Sequence, residues 1–157
     1  MSINLGRRAF LRTKNQNDAV RLPWLKPNLA FTDKCTRCGD CKTACPEHII
    51  QIGEGGFPEI DFSVAECSFC KECVIHCKED LFDLTQEKAW DIKANISSSC
   101  LNAESVYCRS CAESCEAEAL RFNFTTTAFV IPEVVVEDCT GCGACVSVCP
   151  ARAISVK

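Results

Sequence analysis

CTGCGACVSVCP, residues 139 to 150, places four cysteines in eleven residues in the order C-x2-C-x2-C-x3-C, with proline directly after the last. The first three thiols share one tight loop. The fourth, three residues on, belongs to a short helical turn and points away from them. The spacing recurs at CTRCGDCKTACP (35 to 46) and CSFCKECVIHCK (67 to 78). A cuboidal 4Fe-4S cluster presents four iron corners that each take one thiolate, and in two-cluster ferredoxins the last cysteine of each run ligates the neighbouring cluster. Three copies of this spacing therefore point to iron and sulfur.

A fourth unit, CLNAESVYCRSCAESCEAEALRF (100 to 122), keeps the x2 and x3 gaps but widens the first gap to seven residues. Crossing the last cysteines between neighbouring units gives four sets of ligands. Set I is Cys35, Cys38, Cys41 and Cys77; set II is Cys67, Cys70, Cys73 and Cys45. Set III is Cys139, Cys142, Cys145 and Cys115; set IV is Cys100, Cys108, Cys111 and Cys149. Five extra residues before Cys108 can bulge into solvent and still return a thiolate to the same corner, because loop-closure entropy grows slowly with length. Asn102 and Ser105 suit such a bulge. The competing reading leaves Cys100 as a free thiol and set IV three-iron, labile or empty. Four 4Fe-4S clusters are expected, three of them on undistorted motifs.

Other cysteine chemistries fit less well. Structural zinc typically uses paired C-x2-C knuckles rather than four cysteines so densely packed. Disulfides belong to oxidising compartments, and nothing in the sequence marks a secreted chain. The N-terminal MSINLGRRAFLRTKNQNDAVRLPW is basic but has no apolar stretch of signal-peptide length, and no later run approaches a membrane span. A cytoplasmic protein with reduced thiols is the expectation.

The cysteines also disguise a thin core. With all 16 set aside, the apolar share falls from 47% to about 37%, below the usual fraction; such a chain needs staples, and metal can supply them. The net charge of -4 divides unevenly. Residues 1 to 34 hold seven Lys or Arg against two Asp, and the remainder ten against nineteen Asp or Glu. Four oxidised clusters with their thiolates would add about -8 to that acidic body. That charge argues against a nucleic-acid partner and favours a basic docking partner.

After each last cysteine the sequences PEHIIQI, KEDLFDL, EAEALRF and PARAISV place an apolar pair in the same register, so each unit is expected to feed a short strand. GEGGFPEIDF (53 to 62) and TTTAFVIPEVVV (125 to 136) read as returns that complete two-stranded hairpins. The fold expected is α+β: two tandem bacterial ferredoxin-like modules, 31–84 and 100–157, with short helices and hairpins. An irregular basic arm (1–30) precedes them and a linker (85–99) joins them. Proline follows Cys45 and Cys149, but Lys78 and Glu116 stand after Cys77 and Cys115, which loosens the local backbone without removing a ligand. His76 reads as an exposed helix residue rather than a ligand or proton relay, and Phe57 and Phe69 as packing around clusters or strands. There is no G-x-G-x-x-G loop and no acid–base constellation, so a carrier is expected rather than an enzyme.

Beyond these generic motifs the chain resembles the NapF family, ferredoxin-type accessory proteins of periplasmic nitrate reductase systems. The resemblance spans nearly the whole length: GRRAFLR near the start, Pro23–Trp24, ECSFCKEC in the second unit, and AWDI leading to the widened third motif. It makes the wide gap a family trait rather than decay. It implies a cytoplasmic iron-sulfur protein that associates with the precursor of the nitrate reductase catalytic subunit before export and assists its maturation. A general polyferredoxin electron carrier is the alternative. Arg7 and Arg8 resemble the core of a twin-arginine signal; lacking an apolar segment, they read as a partner-binding arm or as a plain basic tail.

Overall fold

A computed structural model describes residues 19–123 and 129–157; Arg7 and Arg8 lie outside the described residues. Among those described, five helices of one turn each, α1 (Phe31–Lys34), α2 (Asp40–Ala44), α3 (Glu72–Ile75), α4 (Ser110–Glu113) and α5 (Ala144–Ser147), alternate with six strands of two or three residues. A single turn is not stable alone. In α2 to α5 the third cysteine of each unit, Cys41, Cys73, Cys111 or Cys145, lies within the turn and faces the interior or its edge.

The strands are β1 (Ile50–Ile52), β2 (Pro58–Ile60), β3 (Ala94–Ile96), β4 (Leu120–Arg121), β5 (Glu133–Val134) and β6 (Ile154–Val156). β1 and β2 form an antiparallel hairpin with Ile50 opposite Ile60, and β4 and β5 form its counterpart with Leu120 opposite Val134. One repeated turn explains how units one, three and four feed their strands. His48, Glu118 and Arg152, each three residues past the last cysteine, take left-handed backbone (φ 55, 49 and 49). Their N–H groups return to the carbonyls of Cys45, Cys115 and Cys149 at 3.2, 3.0 and 3.1 Å.

Unit two departs from the expected strand. There the Leu81 N–H bonds the Glu79 carbonyl at 2.8 Å, and only an isolated bridge forms, between Leu25 and Phe82. That bridge nonetheless closes the first module. The Lys26 N–H reaches the Leu81 carbonyl (2.9 Å) and the Asp83 N–H reaches the Trp24 carbonyl (2.8 Å). In the second module β3 pairs with β6 in the same way, extended by reciprocal bonds between Lys93 and Lys157 at 3.0 and 3.1 Å.

Two segments therefore do more than their composition suggests. The described part of the basic arm forms no helix or strand, only the bridge at Leu25, yet it is packed: Leu22 and Trp24 are 3% and 6% exposed, Pro23 is fully buried, and the Val20 carbonyl accepts from the Ile60 N–H. Residues 85–99 are not a free linker either. Gln86 Nε2 donates to the Trp24 and Leu25 carbonyls, tying the first half to module one, while β3 belongs to module two. The changeover falls at Trp90, whose ring packs edge-on against Phe62 and Phe69 with centroids 5.8 and 5.9 Å apart. One buried apolar cluster runs through both modules, from Leu22 to Val156.

Candidate metal centres

In the three regular motifs the residues on either side of the second cysteine both take left-handed backbone: Arg37 and Gly39, Phe69 and Lys71, Gly141 and Gly143. This double reversal curls the loop tightly around the second cysteine, which stays exposed as Cys38 and Cys70 and is half-buried as Cys142. The widened motif achieves its return differently. Leu101–Glu104 forms a 3-10 turn, Ser105 takes the left-handed conformation (φ 60), and the Val106 N–H closes on the Leu101 carbonyl at 2.9 Å. Asn102, the one polar side chain buried among the described residues (4% exposed), then clips both ends together. Its Nδ2 donates to the Cys108 carbonyl at 2.7 Å and its Oδ1 accepts from the Cys108 N–H at 3.3 Å. The side chain acts as one rung of backbone pairing. The sequence marked Asn102 only as compatible with a bulge; its burial is the information that was missing.

All sixteen cysteines are free thiols, and the fold gathers them in the crossed sets. In set II, Cys45, Cys67, Cys70 and Cys73 line a small cavity with Ile49, Ile60 and Phe69. Set III, Cys115, Cys139, Cys142 and Cys145, lines another with Ala94, Leu120 and Val156. Cys100, Cys108, Cys111 and Cys149 of set IV line a third with Ile96, Leu101 and Ile154. Cys100 thus reaches the cavity despite its displacement. In set I, burial pushes the Cys41 thiol up to about 11, and the sulfurs of Cys35, Cys38 and Cys77 push in the same direction. A larger cleft between Trp24, Phe69, Trp90 and Lys93 touches Cys139 alone among the cysteines and offers no set of thiols.

Burial raises Cys67 and Cys111 to about 11 and Cys73 and Cys145 to about 12, with neighbouring sulfurs adding to the rise. Without metal the buried thiols stay protonated and neutral; a multivalent cation that displaces those protons would hold four thiolates together against their repulsion. Within each set the sulfurs feel one another yet do not converge as the ligands of a single ion would, among the described residues. The donor chemistry, four thiols to a set, and the apolar lining fit a multi-iron group.

His76 takes no part in a set: it is exposed, with Nδ1 3.0 Å from the Glu72 carbonyl oxygen. Phe69 lines the set II cavity and packs edge-on against Trp24 with centroids 6.1 Å apart. Phe57 lies against Phe31 and under the Arg37 guanidinium, 5.2 Å from its ring centroid.

A family model described as a 4Fe-4S dicluster domain matches twice, over residues 34–81 and 106–153. Along its full length the chain is 39% identical to the ferredoxin-type protein NapF of Escherichia coli, covering 97% of that protein. It is 41% identical to NapF of Haemophilus influenzae over 98% of this chain and 94% of that relative. The chain belongs to the NapF family of ferredoxin-type proteins. A more distant relative, the methylamine utilization ferredoxin-type protein MauM of Methylorubrum extorquens, is 30% identical over 87% of this chain and 70% of its own length. Membership of the family brings 4Fe-4S clusters with it; the first dicluster match takes in every cysteine of sets I and II, and the second takes in those of sets III and IV except Cys100. No helix among the described residues is long and apolar enough to cross a membrane.

Proposed function

We propose that the chain holds four 4Fe-4S clusters, one on each thiol set, and works in the cytoplasm as an accessory protein of a periplasmic nitrate reductase. There it assists maturation of the catalytic subunit before export, as an electron carrier and not as an enzyme. The observation that carries this reading is the grouping of all sixteen cysteines into four sets in a chain similar to NapF from end to end. When bound, a cluster supplies one-electron storage and transfer.

The chain's own residues do the rest. The thiolates ligate; the linings of Ile, Leu, Val and Ala exclude water; donors near sulfur shift the potential. The Ala153 N–H, 3.3 Å from Cys149 Sγ, and Lys93 Nζ on the Cys139 carbonyl both favour added negative charge at their sets.

The test is binding of the full chain, purified without oxygen, to the catalytic-subunit precursor, together with reductase activity in cells lacking the chain. Binding, and activity restored by the native chain but not by a Cys41→Ala, Cys111→Ala variant, supports the reading. No binding and unimpaired reductase sink it. Deletion of residues 1–18 tests the arm that carries Arg7 and Arg8: unchanged affinity removes the arm from the interface. The deletion must stop there, because Leu22 and Trp24 belong to the core.

A second reading, a general polyferredoxin, is favoured by the hydrogen bond that joins sets II and III, from the Cys67 N–H to the Cys142 carbonyl. Rapid reduction by a one-electron donor in a protein that does not bind the reductase precursor would select it.

A further inference from the structure

Module one and the segment that follows it grip the set III loop at three points. Trp90 Nε1 donates to the Thr140 carbonyl at 3.0 Å. The Cys67 N–H donates to the Cys142 carbonyl at 2.8 Å. The Phe62 ring lies against Gly143 so closely that a Cβ there would fall 2.0 Å from Phe62 Cδ1. Gly141 is similarly confined, with its missing Cβ 2.5 Å from the Ile92 carbonyl oxygen. Backbone reversal alone does not require glycine here, since Phe69 and Lys71 adopt the same left-handed geometry in unit two. The close approach of Phe62 to Gly143, and of Ile92 and Trp90 to Gly141, does.

Cys67 is a ligand of set II and Cys142 a ligand of set III. The hydrogen bond therefore joins two ligand cysteines of different modules through one continuous route: Sγ, Cβ, Cα and N–H of Cys67, then O, C, Cα, Cβ and Sγ of Cys142. The other contacts place the sets in line. Helix α2, which carries Cys41 of set I, packs on α3, which carries Cys73 of set II, and α4, with Cys111 of set IV, packs on α5, with Cys145 of set III. The order is I, II, III, IV, and Cys38 of set I is exposed at one end.

We propose that the Cys67–Cys142 hydrogen bond, held by the Phe62–Gly143 and Trp90–Thr140 contacts, is an electronic joint that makes the two modules one electron path rather than two independent ferredoxins. The inference rests on the four-cluster reading. One electron from a low-potential one-electron donor enters at one module, oxidising the donor by one; crossing the joint reoxidises the first module by one and reduces the second by one. No bond is made or broken and no proton need move.

The experiment uses a full-length Cys38→Ala, Cys108→Ala variant, which spoils sets I and IV and leaves II and III. With about eight iron per chain retained, the fully reduced protein gives an electron paramagnetic resonance spectrum broadened and split by interaction across the joint. Two additive, non-interacting spectra overturn the path while leaving the cluster sites standing. Fewer than about eight iron in a folded variant overturns the four-site reading and the path with it. A second measurement uses the native chain and does not depend on the variant folding. After flash reduction with less than one electron per chain, rapid-freeze spectra follow redistribution among clusters. A first-order rate unchanged by tenfold dilution supports the joint. A rate that falls tenfold on tenfold dilution means electrons cross only between molecules, and the proposal fails.

Discussion

Asn102 makes two hydrogen bonds from a buried position to a single residue, Cys108, and a buried side chain with that role cannot be trimmed without consequence. Asn102→Ala leaves the Cys108 carbonyl and N–H without their partner inside the protein, a loss of about 1–3 kcal/mol, and frees Cys100 from Cys108. The variant should retain sets I to III and lose set IV selectively, so iron falls from about sixteen to about twelve per chain. Unchanged iron would show that the 3-10 turn alone positions Cys100. The thiols themselves make a second prediction. Their folded values of about 11 to 12 lie above the ordinary 9.0, so the metal-free fold keeps their contribution below pH 9 and loses it as pH rises through the folded values. Once iron holds them as thiolates, that dependence is removed. Between about pH 8 and about pH 10.5 the melting temperature of the metal-free chain should fall clearly more than that of the loaded chain. Equal falls would place the thiols in water rather than in the cavities.

At the scale of elements, the cysteine spacing announced a short helix in each unit but put the fourth cysteine on it, whereas α2 to α5 hold the third cysteine and Cys45, Cys77, Cys115 and Cys149 stand just past the turn. The apolar pairs after the last cysteines located β1, β4 and β6. Unit two carried the same pattern in KEDLFDL yet forms only a bridge, because Leu81 turns back on Glu79 instead of making the left-handed turn seen at His48, Glu118 and Arg152. The first strands of the modules were harder to see, since three residues of sheet carry little periodicity. A signal did exist: Trp24 precedes Cys35 by eleven residues and Trp90 precedes Cys100 by ten, and each tryptophan stands two or three places before a lysine that pairs with the end of its module. The repeat thus starts at tryptophan rather than at cysteine. Trp24→Ala should cost about 3–5 kcal/mol, the usual range for emptying a buried aromatic position, and should loosen the set II cavity that Trp24 helps to line. Denaturant unfolding of the loaded protein measures it; a loss below about 1 kcal/mol would mean that residues 19–26 are dispensable to the module.

For the molecule as a whole, the two dicluster units share a core and a direct contact between ligand loops. That contact could not be read from sequence, because Gly141 and Gly143 look like ordinary loop glycines in CTGCGAC; only Phe62 and Ile92 pressing on them reveals why they are small. Surface ion pairs such as Lys78–Asp40 and Arg121–Asp138 add little to this assembly. Charge matters more for association: an acidic body made more negative by about -8 on loading should bind a basic partner with an affinity that falls as salt rises from about 50 to about 300 mM. Salt-independent binding would assign the interface to apolar contacts instead. The loaded charge and the row of four stations alike require four clusters on four sets of thiols. The most direct measurement is iron and acid-labile sulfide per chain in protein purified without oxygen, for the native chain and for Cys100→Ala. About sixteen of each are predicted in the native chain and about twelve in the variant. About twelve in both would contradict the four-cluster molecule, leaving the widened motif without a cluster.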